Sequence, residues 1–124
     1  MYEVQMRTKV EGLDCYCTLE FLDAKGKEHR MEVHELAGSG ESRFSRDIRS
    51  VLIGLQRMRK PSHITVYTSA GYIKTGLEYM GKWADAGWKK ANGKQVSNKE
   101  LWEKVQKEAR GHSLSVILEE GSNV

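Results

Sequence analysis

The stretch FSRDIRSVLIGLQRMRKPSHITVYT, residues 44–68, joins a helix to a strand and so decides the class of fold. Phe44, Ile48, Val51, Leu52, Leu55 and Met58 recur at three- and four-residue spacing, which lines them along one face of an amphipathic helix. Arg43, Arg46, Arg49 and Arg57 fall on the other face. Pro61 has no amide hydrogen to donate and is expected to stop the helix. Ile64 to Thr68 then reads as a strand, and a strand reached through a helix is expected to pair in parallel.

Upstream, the period changes from 3.6 to 2. Tyr2, Val4, Met6 and Val10 alternate with Glu3, Gln5, Arg7 and Lys9, as in a half-buried strand. A turn near Glu11-Gly12 leads to a second apolar row, Leu13, Cys15, Cys17, Leu19 and Phe21, and residues 23–26 supply a hairpin turn into a third strand at residues 28–35. The two cysteines, one residue apart on one strand face, read as packed thiols rather than a bridge. Downstream, residues 70–79 read as a helix, and residues 81–95, with three glycines and many lysines, as less regular chain. Ser97 and Glu100 have capping-box spacing before an apolar row of Leu101, Trp102, Val105 and Ala109, and a last strand fits residues 114–118.

The order βββαβαβ is that of a mixed-sheet α/β domain, and 124 residues suit a single domain. No apolar run approaches the roughly 20 residues of a membrane span. The N-terminus does not read as a signal peptide, so a cytoplasmic location is expected. His29, His34, His63 and His112 are scattered without metal-ligand spacing. The net charge of +3 is unevenly spread: residues 82–110 hold eight cations against four acids, leaving the rest at −1. Such an excess points toward a polyanion.

Thr68-Ser69-Ala70-Gly71-Tyr72-Ile73, Gly76-Leu77, Trp83, Gly87-Trp88-Lys89 and Asn98-Lys99-Glu100-Leu101-Trp102 follow one another in this stretch. In these motifs the chain resembles the ribonuclease H family, where a strand ends in Thr-Asp-Ser with a Tyr shortly after, followed by a Trp, a Gly-Trp-Lys and an Asn-x-x-Leu-Trp. The resemblance implies a ribonuclease H-like five-stranded mixed sheet of three antiparallel strands followed by crossover helices. It also implies a chemistry in which carboxylates hold two Mg²⁺ ions for phosphodiester cleavage.

Carried over residue by residue, the resemblance places the first-strand aspartate near Arg7 or Thr8, the helix glutamate on Asp47 and the fourth-strand aspartate on Ser69. The last family acid belongs to a helix after the fifth strand, and this helix is expected to be absent because the sequence stops at Val124. One carboxylate of four does not assemble a two-metal site, and an acid near a helix start also suits the helix dipole. Glu119 and Glu120 are the remaining candidates as substitutes. No intact catalytic site and no metal ligand set is expected, and Mg²⁺ enters only if the chain is a nuclease with rearranged ligands. The positions of Arg7, Asp47 and Ser69 in three dimensions test this reading.

The family's basic handle corresponds to residues 81–96. There Lys82, Lys89, Lys90 and Lys94 are expected to contact phosphates of an RNA–DNA hybrid or another duplex, with Trp83 and Trp88 as the hydrophobic base. Tryptophans so spaced also serve as packing. Without a final helix one sheet face stays open, and its polar parity (Glu3, Gln5, Arg7, Lys9, Tyr16, Thr18, Glu20) lets it meet water. The sequence therefore supports an inactive nucleic-acid-binding domain or, as the rival, a protein-interaction module on the same fold.

Overall fold

The alternation near the N-terminus produces an antiparallel meander of β1 (Tyr2–Glu11), β2 (Asp14–Leu22) and β3 (Glu28–Leu36). Gly12 takes a left-handed conformation (φ +58°) in the first turn, where a side chain would be strained. In the second, the Asp23 carboxylate accepts the amides of Lys25 and Lys27, each at 2.9 Å. The computed structural model describes residues 2–119.

α1 (Arg43–Leu55) starts at Ser42, whose hydroxyl accepts the Ser45 amide at 3.1 Å. It returns the chain so that β4 (Ser62–Thr68) lies parallel to β1, with Met6 beside Val66. After α2 (Gly71–Asp85) and α3 (Lys99–Ala109), β5 (Ser113–Leu118) pairs parallel with β4, giving the order β3-β2-β1-β4-β5. Five strands in this mixed order are the expected sheet. β5 is the last element among the described residues; the expected absence of a helix beyond it concerns residues outside them.

The core lies between the helices and one sheet face. Val4, Met6, Cys15, Cys17, Leu19, Ile64 and Val66 meet Ile48, Val51, Leu52 and Leu55 there, all nearly inaccessible to water. Gly54 faces Cys17 and Met6 so closely that an added Cβ would overlap the Cys17 sulfur and stand 2.9 Å from Met6 Cε. Both cysteines are free and buried. Burial pushes the Cys17 thiol up to about 12, and it also raises Cys15, against a lowering hydrogen bond with Ser50.

Several expectations need correction. α1 ends at Leu55, well before Pro61, and Met58 packs from the turn that follows. Phe44, in the first turn of α1, is 55% exposed and lies outside the buried core, its ring edge-on to Tyr72 at 4.6 Å. α2 continues past residue 79 to Asp85, since Met80 and Trp83 prolong the inward row of Ile73 and Leu77. No capping box forms: Asn98, at φ +60°, is the N-cap of α3 and makes no side-chain cap bond. Entry to α3 is set by Val96, which is buried and donates its amide to the Trp88 carbonyl at 2.9 Å.

Gly54→Ala is expected to destabilise the fold by about 1–3 kcal/mol through overpacking, read by urea or thermal unfolding. It is also expected to speed labelling of the two buried cysteines by a thiol reagent at pH 8, which is expected to be slow in the parent protein. Unchanged stability would show that α1 and the sheet do not meet this closely.

Candidate nucleic-acid interface

Three tryptophans build a platform. Gly76 leaves room for the Trp102 indole, which would overlap a Cβ at that position, so α2 and α3 nest together. Trp83 crosses Trp102 at 6.2 Å, near edge-to-face, and Tyr79 stacks on Trp83 at 6.3 Å. The chain leaves α2 through Gly87 (φ +70°) and Trp88 (φ +64°), two successive left-handed residues. Strain at a tryptophan needs support, and Trp88 has it: its amide donates to the Trp83 carbonyl at 2.6 Å and its ring is 9% exposed.

On this platform stands a small hairpin. Lys89 bridges Gln95 antiparallel, the Lys90 amide donates to the Lys94 carbonyl at 2.8 Å, and the Asn92 side chain accepts the Lys94 amide at 3.0 Å. Gly93 turns it at φ +83°. Lys89, Lys90 and Lys94 are all exposed and have no ion-pair partner among the described residues. Lys82 projects from the last turn of α2, its ammonium 5.4 Å from the Tyr79 ring centre. Of the expected site residues, the four lysines are therefore surface cations, whereas Trp88 is buried and Trp83 half-buried as their base.

Each of the three candidate metal positions has its own set of contacts. Arg7 points to the sheet face opposite α1, its guanidinium 4.1 Å above the Tyr67 ring and 3.3 Å from a Glu119 carboxylate oxygen. Asp47 lies on the helix side, half-buried, where it accepts the Tyr72 hydroxyl and the Arg43 Nε, the latter at 3.4 Å. Burial raises the Asp47 carboxyl above the ordinary range and the Arg43 charge works against this. Ser69 is exposed one residue past β4. Among the described residues no three His, Cys, Asp or Glu side chains converge. A guanidinium, a neutral hydroxyl and one carboxylate already engaged by a phenol and an arginine do not fit a pair of hard cations. Of the two substitutes, Glu119 is occupied by Arg7 and Glu120 lies outside the described residues.

The sequence did not reveal the Tyr72–Asp47 bond or the Arg7–Tyr67 stack. Only register exposes the second, since Arg7 and Tyr67 are direct partners across β1 and β4.

Charge is segregated by face. The outward row of the sheet holds Glu3, Glu11, Asp14, Glu20, Glu28 and Glu32, with Glu119 after β5, against Arg7, Lys9 and Arg30. That face is −4 with histidines neutral, and the remaining described residues total +8. No helix of the described residues is long and apolar enough to cross a membrane.

Comparison with known proteins agrees with this architecture. Residues 24–121 match the family model for RNase H. Ribonuclease HI of Haemophilus ducreyi is 37% identical over 78 residues, covering 54% of this chain and 51% of that protein. The chain thus spans about half the length of this relative. Among solved structures, LC9-RNase H1, a type 1 RNase H with the type 2 active-site motif, is similar with a TM-score of 0.75 at 20% identity, over 99% of this chain and 65% of that one. The foamy viral protease-reverse transcriptase in complex with RNA/DNA hybrid gives 0.62 at 9% identity, over 94% of this chain and 17% of that one. These two structures speak to the fold, and the family model covers most of the chain: it belongs to the ribonuclease H family.

Proposed function

We propose that this chain is a ribonuclease H-family domain that does not cleave nucleic acid and that binds duplex nucleic acid, an RNA–DNA hybrid among others, through phosphate contacts from its handle. The observation that carries the binding half is the hairpin of Lys89, Lys90 and Lys94, three exposed cations without ion-pair partners among the described residues, held on the buried Trp88. Preorganised cations lose little conformational entropy on meeting phosphates, and they release counterions from the duplex. A foamy viral relative in fold was solved with an RNA/DNA hybrid, which favours this class of partner. The observation that favours inactivity is the state of Asp47, whose carboxylate is engaged by Tyr72 and Arg43, while no three His, Cys, Asp or Glu side chains among the described residues form a group that could hold a metal ion.

The second reading is a protein-interaction module. Its support is the open sheet face, which is acidic and lies uncovered among the described residues.

With Mg²⁺ or Mn²⁺, a labelled hybrid is expected to stay intact over hours. Cleavage that survives purification and disappears in Asp47→Ala would overturn the inactive reading. Ser69→Asp alone is expected to restore nothing, because it brings the family's metal positions only to two acids, with the Arg7 cation at the first of them. Clear turnover in that variant would mean that the inventory of acids is wrong.

Asp47 also gives a test on stability. A carboxyl whose pKa is raised in the folded state binds more protons folded than unfolded, so its ionisation costs stability as pH rises above about 4. Asp47→Asn is therefore expected to be at least as stable as the parent at pH 7, the difference shrinking below pH 4 where both side chains are neutral. A marked loss of stability at pH 7, by thermal unfolding, would instead show that the charge of Asp47 supports the fold.

Binding is expected to weaken steeply with salt. Replacing Lys89, Lys90 and Lys94 by Gln is expected to flatten the slope of log K against log salt by about 2.7 on B-DNA, with a similar loss for every sequence. No binding to hybrid, double-stranded DNA or double-stranded RNA at low salt would move the function to the second reading.

A further inference from the structure

We infer that the phosphate-contacting surface continues past the handle onto α3, along Lys104, Lys107 and Arg110. This rests on the duplex-binding reading and extends its footprint to a second row of cations.

A groove runs between the end of α2 and α3, walled by Ala84 and Trp88 on one side and, along α3, by Glu100 and the Lys99-paired Glu103 at its start and Lys104, Lys107 and Arg110 beyond. Trp88 is the residue on which the handle hairpin stands, so the groove and Lys89 share a wall. The three α3 cations follow one another at three-residue intervals. At 1.5 Å rise per residue the row is roughly 9 Å long, which spans two to three phosphates of a strand carrying one charge per roughly 3.4 Å of axis.

Their electrostatic state sets these cations apart from an ordinary solvated face. Lys99, at the start of the same helix, is paired with Glu103 at 3.6 Å. Lys104 and Lys107 have no carboxylate within ion-pair distance among the described residues, and Arg110 donates only to the neutral Gln106 at 3.5 Å. The helix dipole favours cations in the last turn of α3, which accounts for Lys107 and Arg110 but gives nothing to Lys104 in mid-helix. Glu100, exposed at the other end of the groove, is a repelling charge that closes the track there. At long range the outward sheet row of −4, against +8 on the other described residues, disfavours approach of a polyanion to that sheet face.

The test measures binding of a fluorescent hybrid duplex by anisotropy from 25 to 200 mM salt. The parent protein is compared with the handle variant (Lys89→Gln, Lys90→Gln, Lys94→Gln) and an α3 variant (Lys104→Gln, Lys107→Gln, Arg110→Gln). The α3 variant is expected to flatten the salt slope by about 2.7, as the handle variant does, and the two sets combined by about 5.4. A slope unchanged in the α3 variant while the handle variant flattens would overturn the extended track and leave the handle reading intact. A parent protein that does not bind at 25 mM salt overturns both. Glu100→Gln removes a repelling charge without touching packing and is expected to tighten binding several-fold, a gain that misfolding does not produce. Unchanged or weaker binding in that variant counts against the track.

Discussion

The fold turns on how closely α1 can approach the sheet at Gly54. Contact between a helix and a sheet is usually spaced by side chains from both, but here the helix contributes only a hydrogen, and Cys17 and Met6 fill the gap. The small gap brings Ile48, Val51, Leu52 and Leu55 down onto β1 and β2, where burial of apolar surface supplies the main stabilisation. At the other end of α1, Asp47 is held beside Tyr72 of α2, half out of water, and its ionisation behaviour follows from that placement.

A second close approach does for the handle what Gly54 does for the core. Trp102 fits onto α2 only because residue 76 is glycine, and this nesting ties α3 to α2 before either reaches the hairpin. Trp83 and Trp88 then continue the packed row outward to the base of the lysine loop. In the duplex binding proposed above, the tryptophans act only through the lysines that they position. None of this depends on the carboxylate positions, so the handle can persist whatever happens at the strand ends.

How much of this the sequence displayed depended on whether a feature was local. Period-two alternation located β1, β2 and β3 to within a residue or two, and the helix between β3 and β4 carried the parallel pairing with it. Helix ends were less legible. Leu55 ends α1 because the core runs out, not because a proline intervenes, and Gly81 does not interrupt α2 because Trp83 beyond it is held by Trp102. The Ser97–Glu100 pair has the spacing of a cap but loses to the tertiary bond between Val96 and Trp88. At the site, the exposure of the lysines followed from their type. The engagement of Arg7 by Tyr67 and Glu119 joins residues 60 and 112 positions apart, a matter of register across β1, β4 and β5 that no local pattern encodes.

Charge placement connects these features. Clustered carboxylates at strand ends repel one another unless cations offset them, and a half-buried acid adds a desolvation cost of its own. This chain holds one such acid between a phenol and a guanidinium, and pairs Arg7 with Glu119 on the outer face. Its fold is therefore satisfied by its own side chains at these positions. The outward sheet row gathers acids and carries −4, while the other described residues, helices and turns together, carry +8. For the duplex binding proposed above, an imbalance of that size disfavours approach of a polyanion to the sheet face and favours approach elsewhere.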